Sequence, residues 1–263
     1  MPTFSLSSQY SLQTSPFDMY TRYCVIIPTY NNSGTVADVV ERVLKVCPDV
    51  IVVNDGSTDN TSAVLCGLDV VTLSHEQNKG KGEALKTGLY YAMDNGFTHA
   101  ITIDSDGQHF PEDIPAMIKA STEHPDRLIV GCRNLTSENM PRRSTFANRF
   151  SNFWFRLQTA QKLDDTQSGF RIYPVEALHG MKLVTSKYEA ELELLVFAAW
   201  NGVIVQGVPV RVWYAPDGER VSHFRPFEDF LRITLLNTLL CFGALLYALP
   251  AALIRRIGGK RHG

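Results

Sequence analysis

The sequence predicts an α/β domain with a mostly parallel sheet covered by helices. Short β-branched apolar runs alternate with segments of helical spacing, and those runs are apolar throughout instead of alternating with polar residues, as strands buried on both faces require. The length of 263 residues, with 44% hydrophobic and 10% aromatic side chains, supplies enough core for one large domain. The 25 basic residues nearly balance 27 acidic ones, and Gly and Pro are sparse at 18 and 13. Collagen-like, low-complexity and charge-driven disordered classes are thereby excluded. A net charge of -2 gives no field that would gather nucleic acid, so no nucleic-acid partner is expected.

The elements follow in order. Arg22 to Pro28 (RYCVIIP) reads as a strand closed by proline, and Val36 to Val46 as a helix with Val36, Val39, Val40, Val43 and Leu44 on one side. Asp49 to Asn54 is the second strand; DGSTD is a turn whose Asp59 can cap a short helix. Val70 to Leu73, Thr98 to Ile103 and Leu128 to Val130 are further strands, with a long helix at Gly82 to Asn95. In such sheets, sites gather at the carboxyl ends of strands, so the loops after Ile27, Val53 and Ile103 are expected to share one crevice.

The ends of the chain differ in kind. The first twenty residues hold no Lys or Arg and no uninterrupted apolar stretch, so they read as a mobile tail over 1–21 and not as a signal peptide. The five cysteines are odd in number and widely spaced, and a reduced, buried set is expected. From Ile233 to Ile254 no charged residue occurs, and Arg255, Arg256, Lys260 and Arg261 follow. A helix of that stretch would reach about 33 Å. A simple span would set the basic tail on the far side of the membrane, against the positive-inside tendency. The reading is therefore a helix in the cytoplasmic interface over 227–263, with Thr234, Asn237 and Thr238 facing water.

Chemistry begins in the loops. Asp104, Asp106 and the Gln108 amide place hard oxygen ligands at a strand end, as Mg²⁺ or Mn²⁺ prefers. Such an ion takes its remaining ligands from a substrate diphosphate, and the same residues also fit a turn capping Pro111 to Ala120. Asp55 after the second strand suits a nucleobase edge, and Pro28, Thr29, Tyr30 and Asn31 offer an aromatic face and ribose contacts; each loop alone reads equally as ordinary turn chemistry.

Together, PTYNN, VNDGSTD, NKGKGEAL and DSDGQH resemble the inverting family-two glycosyltransferases of GT-A fold, in the branch of dolichol-phosphate mannose synthase-like and polyprenyl-phosphate hexose synthases. The likeness runs from about Tyr23 to Pro226, with a catalytic domain expected over 22–226. It departs at Asn32 and Asn54, where family members often carry acids. The resemblance implies donor contacts from Pro28, Tyr30, Asp55, Lys81, Asp104, Arg220 and Ser222, and metal ligation by Asp104, Asp106 and Gln108. It implies a sugar and acceptor pocket at Asp165, Ser168, Gly169 and Phe170, and catalytic roles for Asp106, Glu191 and Arg133, the last facing the acceptor. Glu189, Glu191 and Glu193 stand at every second position, so one of them is expected in solvent. The expected activity moves a hexose from a GDP-mannose or UDP-glucose type donor to a lipid phosphate or hydroxyl at the cytoplasmic membrane face. A noncatalytic membrane-tethered nucleotide-sugar binder, and an enzyme with a soluble or protein acceptor, are the alternatives. A dehydrogenase is excluded because no glycine-rich turn follows the first strand, and a sugar nucleotidyltransferase because its arginine-bearing first loop is absent. The aromatic run Phe146 to Phe155 reads either as an acceptor helix at the membrane surface or as core.

Overall fold

The structure, a computed structural model, describes residues 21–134, 142–181, 183–213, 226–248 and 250. Tail residues 1–20, Arg220, Ser222 and the basic C-terminal residues lie outside these ranges. Strands β1 (Tyr23–Thr29), β2 (Val50–Asn54), β3 (Val71–Ser74), β4 (His99–Thr102), β5 (Leu128–Arg133), β6 (Arg171–Pro174) and β7 (Val205–Val210) form one sheet in the order β3-β2-β1-β4-β6-β5-β7. All pairings are parallel except those of β6, which runs antiparallel to both neighbours. The five strands expected from sequence are present. The run RIYP of β6 holds two apolar residues between an arginine and a proline, and VQGVPV of β7 is interrupted by Gly and Pro, so neither announces itself without its neighbours.

The helices are α1 (Val36–Leu44), α2 (Thr61–Leu65), α3 (Lys81–Asp94), α4 (Ile114–Glu123), α5 (Arg142–Thr159), α6 (Glu189–Trp200) and α7 (Pro226–Gly243). Alternate side chains of β1 serve the two faces of the sheet. Cys24 and Ile26 join the core containing Ala84, Leu89, Leu195 and Leu240; Val25 and Ile27 join that of Val36, Val40, Leu65 and Met117. Helix α3 lies close on the sheet because residue 88 is glycine, where an added Cβ would stand 2.5 Å from Ile26 Cγ2. That approach sets the first residue of α3, Lys81, beside the strand ends.

All five cysteines are free, but Cys66 is exposed, at the end of the short α2 where no element covers it. Helix α7 packs on α5 and α6, burying Leu236 and Leu240. Asn237 does not face water as expected: it is 3% exposed, and its Oδ1 accepts from Gln158 Nε2 of α5 at 3.0 Å. Two amides facing each other across a helix contact must pair or remain buried without partners, which turns Asn237 inward. Among the described residues no helix is long and apolar enough to cross a membrane.

Candidate active site

The carboxyl ends of β1, β2 and β4 form one crevice, laced by short polar contacts. Asp55 N–H donates to the Thr29 carbonyl at 2.9 Å, Asn31 Oδ1 accepts the Thr58 N–H at 2.8 Å, and Asn32 Nδ2 donates to Ser105 Oγ at 2.7 Å. Pro28 is buried in β1, paired with Val53; the β1–β4 ladder has ended two residues earlier, at Ile26 and Thr102, so its missing N–H costs nothing there. Tyr30 is half-buried at the loop entrance.

Asp55 is 2% exposed and accepts three donors: His75 Nδ1 at 2.6 Å, Lys79 N–H at 2.9 Å and Gly80 N–H at 2.7 Å. About one of its four lone-pair directions is left for a nucleobase edge. Its main work is to pin the turn that launches α3, and with it Lys81.

Lys81 is the hub of the site. Its Nζ lies 2.6 Å from Asp104 Oδ1 and 3.2 Å from Glu191 Oε1, with the Tyr188 ring 5.8 Å away. Burial alone would discharge the lysine, but the two carboxylates override it and raise its pKa. Burial would raise the Asp104 carboxyl, yet the Lys81 ion pair holds it below the usual carboxylate range. Asp106 is pushed the other way, up to about 6, by burial and then by repulsion from Asp104. The Asp106 carboxylate accepts the Gln108 N–H at 3.0 Å.

This pair fits a divalent cation. Asp104 is held ionised by Lys81, Asp106 ionises only above its raised pKa of about 6 for want of a counter-charge, and both have oxygen chemistry suited to Mg²⁺ or Mn²⁺. No group of three or more His, Cys, Asp or Glu side chains converges among the described residues. An open site of two carboxylates completed by substrate oxygens matches that count.

The remaining expected residues divide. Gly169 backs onto the hub, and its carbonyl accepts Thr102 Oγ1 at 2.7 Å. Asp165 is fully buried and bound side-on by Arg133, with Nε–Oδ2 at 2.6 Å and Nη2–Oδ1 at 2.9 Å, so the guanidinium is turned to this carboxylate. Those bonds outweigh burial and keep the Asp165 pKa low. Ser168 and Phe170 are fully buried, Phe170 within the sheet core beside the His109 ring.

All three glutamates at the start of α6 are buried, contrary to expectation. Glu191 meets Lys81, and Glu193 accepts the N–H groups of Val184 and Thr185, each at 2.8 Å. The helix start is enclosed by loop donors, so a carboxylate there has partners without water. Sequence reasoning gave no role to Asn148, whose amide donates to Asp165, or to Arg171. The fully buried guanidinium of Arg171 donates to the carbonyls of Thr166, Ser168 and Glu191, tying the pocket loop to α6. Nor was a role given to His109, buried with Nδ1 unpartnered among the described residues and its pKa lowered to about 4 by burial.

Residues 24–180 match the model of Glycosyl transferase family 2. The chain belongs to this family. It is a glycosyltransferase of nucleotide-sugar-binding type. It is 32% identical over 213 residues to the UDP-N-acetylglucosamine--dolichyl-phosphate N-acetylglucosaminyltransferase of Methanococcus voltae, covering 72% of this chain and 85% of that one. It is 33% identical over 203 residues to the polyprenol monophosphomannose synthase of Mycolicibacterium smegmatis, covering 72% and 76%. Glucosyl-3-phosphoglycerate synthase from Mycobacterium tuberculosis, crystallised with Mn²⁺, UDP-glucose and phosphoglyceric acid, superposes with a TM-score of 0.61 at 20% identity, covering 85% and 79%. That likeness shares the GT-A fold expected from sequence.

Proposed function

We propose that this glycosyltransferase moves a hexose from a nucleoside diphosphate sugar, of UDP-glucose or GDP-mannose type, to a polyprenyl-type phosphate at the cytoplasmic face of the membrane. The observation that carries the acceptor class is Glu191, whose carboxylate is held by the Lys81 ammonium at 3.2 Å. A hydroxyl acceptor needs a free base to take its proton, whereas a phosphate is already ionised at neutral pH. A base committed to an ion pair suits the second. Relatives named for dolichyl, polyprenol and undecaprenyl phosphates support the same reading.

Asp104 and Asp106, with Gln108, would hold a Mg²⁺ or Mn²⁺ ion, which supplies neutralisation of the charge growing on the departing β-phosphate. The acceptor phosphate oxygen forms its bond to the anomeric carbon on the face opposite the leaving group. The bond from that carbon to the β-phosphate oxygen breaks, its electrons leave with the nucleoside diphosphate, and configuration inverts. Lys81 brings a fixed positive charge to the strand ends, and the Asp165 loop positions the sugar; orientation and charge complementarity supply most of the acceleration.

The test offers the enzyme, with Mg²⁺ and each donor, an undecaprenyl phosphate and the corresponding free polyprenol. Product from the phosphate alone is expected. Equal transfer to the alcohol would overturn the acceptor assignment. Thermal shift with UDP against GDP sugars selects the donor.

A further inference from the structure

The loop that carries Asp104 and Asp106 hangs from β4 at one end. At its other end it is fastened to two distant segments by side chains the mechanism does not use. The Gln108 N–H is taken by the Asp106 carboxylate at 3.0 Å, inside the loop. The Gln108 carbonyl accepts the Trp213 N–H at 2.8 Å, and His109 pairs with Val212 in an isolated antiparallel bridge. The backbone of the third expected metal ligand is thus held on one side by its own loop and on the other by the residues just past β7.

Those residues are in turn tied down by Asp113, which closes the 3₁₀ turn Pro111–Asp113. Its Oδ2 accepts the Arg211 N–H at 2.7 Å, and its Oδ1 accepts Arg211 Nε at 2.9 Å with Nη2 2.7 Å away, so one carboxylate grips the backbone and the side chain of a single residue. The neighbouring acid of the turn, Glu112, is bound side-on by Arg42 of α1, Nε–Oε1 at 2.9 Å and Nη2–Oε2 at 2.8 Å. Both guanidiniums also lie over the Phe110 ring, at 5.5 Å for Arg42 and 5.1 Å for Arg211, within cation–π range. Residues 109–113 are thereby clasped by one arginine from α1 and one from the end of β7.

Exposed ion pairs contribute little to stability one at a time, and the Arg211 side chain is 61% exposed. Their geometric effect is larger, because a planar guanidinium fixes direction as well as distance and keeps the turn from sliding along its neighbours. We infer that Phe110, Asp113 and Arg211 are positioning residues, which hold the Gln108 backbone in register with Asp104 and Asp106 for a divalent cation. The inference rests on the metal reading above and adds the residues that act on the site from behind.

The full chain is titrated calorimetrically with Mg²⁺ in saturating UDP, and again in saturating GDP, without acceptor; melting of the metal-free chain is measured alongside. Phe110→Leu, Asp113→Ala, Arg211→Ala and the double variant Asp113→Ala/Arg211→Ala are compared with wild type. Each single variant should weaken Mg²⁺ binding roughly tenfold, as loss of an orienting partner does. The double variant should bind no more weakly than the worse single one, because both side chains act through one contact. Metal-free melting should stay near wild type. In transfer assays the Mg²⁺ concentration for half-maximal rate should rise by the same factor, with kcat at saturating Mg²⁺ kept. Wild-type Mg²⁺ affinity in the folded variants overturns the inference, whether or not they melt lower, because the clasp then serves the fold alone. Additive losses in the double variant overturn it as well. Wild type that releases no heat with Mg²⁺ and either nucleotide removes the metal reading itself, and the inference with it.

Discussion

A single methyl group added at residue 169 tests whether the site is built around Lys81. A Cβ there would lie 2.9 Å from Asp104 Oδ2, 2.9 Å from Glu191 Oε1 and 3.1 Å from Lys81 Nζ. All three distances are shorter than ordinary van der Waals contact, so each atom must retreat by several tenths of an ångström. They cannot retreat independently, because Lys81 bridges both carboxylates at 2.6 and 3.2 Å. Nor can the loop withdraw easily, since the Gly169 carbonyl is held by Thr102 Oγ1 at 2.7 Å. Overpacking of this kind costs about 1–3 kcal/mol. Borne by the catalytic arrangement, that is a loss of roughly fivefold to 150-fold in kcat/KM. Gly34→Ala is the matched control, for nothing stands within 4 Å of a Cβ there. Transfer is followed by steady-state kinetics with labelled donor across a Mg²⁺ titration, and the fold is verified by near-UV circular dichroism. A Gly169→Ala enzyme with wild-type kcat/KM and Mg²⁺ dependence would refute the convergence of these four residues.

Three further outcomes follow from the electrostatics. Asp106 has a folded pKa raised to about 6, so the native state binds more protons than the unfolded chain between about 4 and 6, and stability is lost as pH rises through that window. Metal-free Asp106→Asn should therefore melt higher than metal-free wild type at pH 8 but not at pH 4, and with Mg²⁺ present it should lose the transfer that wild type performs; equal melting differences at the two pH values would contradict the charge repulsion. Asp165 has a lowered pKa, so its contribution is present above the ordinary carboxylate value and fades as pH falls through the folded one. Asp165→Asn should cost about 3–5 kcal/mol at neutral pH, leaving Arg133 without its buried partner, and urea unfolding at pH 7 checks this. Asp104→Asn should abolish transfer and donor hydrolysis while the fold persists; normal turnover would remove Asp104 from the metal and donor set.

Legibility in the sequence tracked distance along the chain. The runs CVII and IVV announced buried strands, and β1, β2 and β4 stand where their apolar residues require. The loop aspartates followed from those strand ends, and the crevice of the first, second and fourth loops follows from parallel order. Strands β6 and β7 were not legible, because a run of two apolar residues between Arg171 and Pro174 and a Gly- and Pro-containing run are held by their pairing with β4 and β5. The glutamates of α6 misled for a related reason: the every-second spacing forbids a common face but says nothing of loop 183–185, whose N–H groups accommodate Glu193. At the far end the uncharged stretch was plain, but which side of it met water was not, and Asn237 turned to Gln158.

By itself the sequence determined the α/β class, the family, and the pair of acids at the end of β4, because these depend on local periodicity and on residues a few positions apart. Tertiary structure alone decided the partners: Lys81 with Asp104 and Glu191, Arg133 with Asp165, Asp55 with the turn before α3, and the outward apolar faces of α5 and α7. The physical reason is that a charge or an amide removed from water takes whatever complementary group packing brings within about 3 Å, and packing joins segments whose separation along the chain carries no local signal.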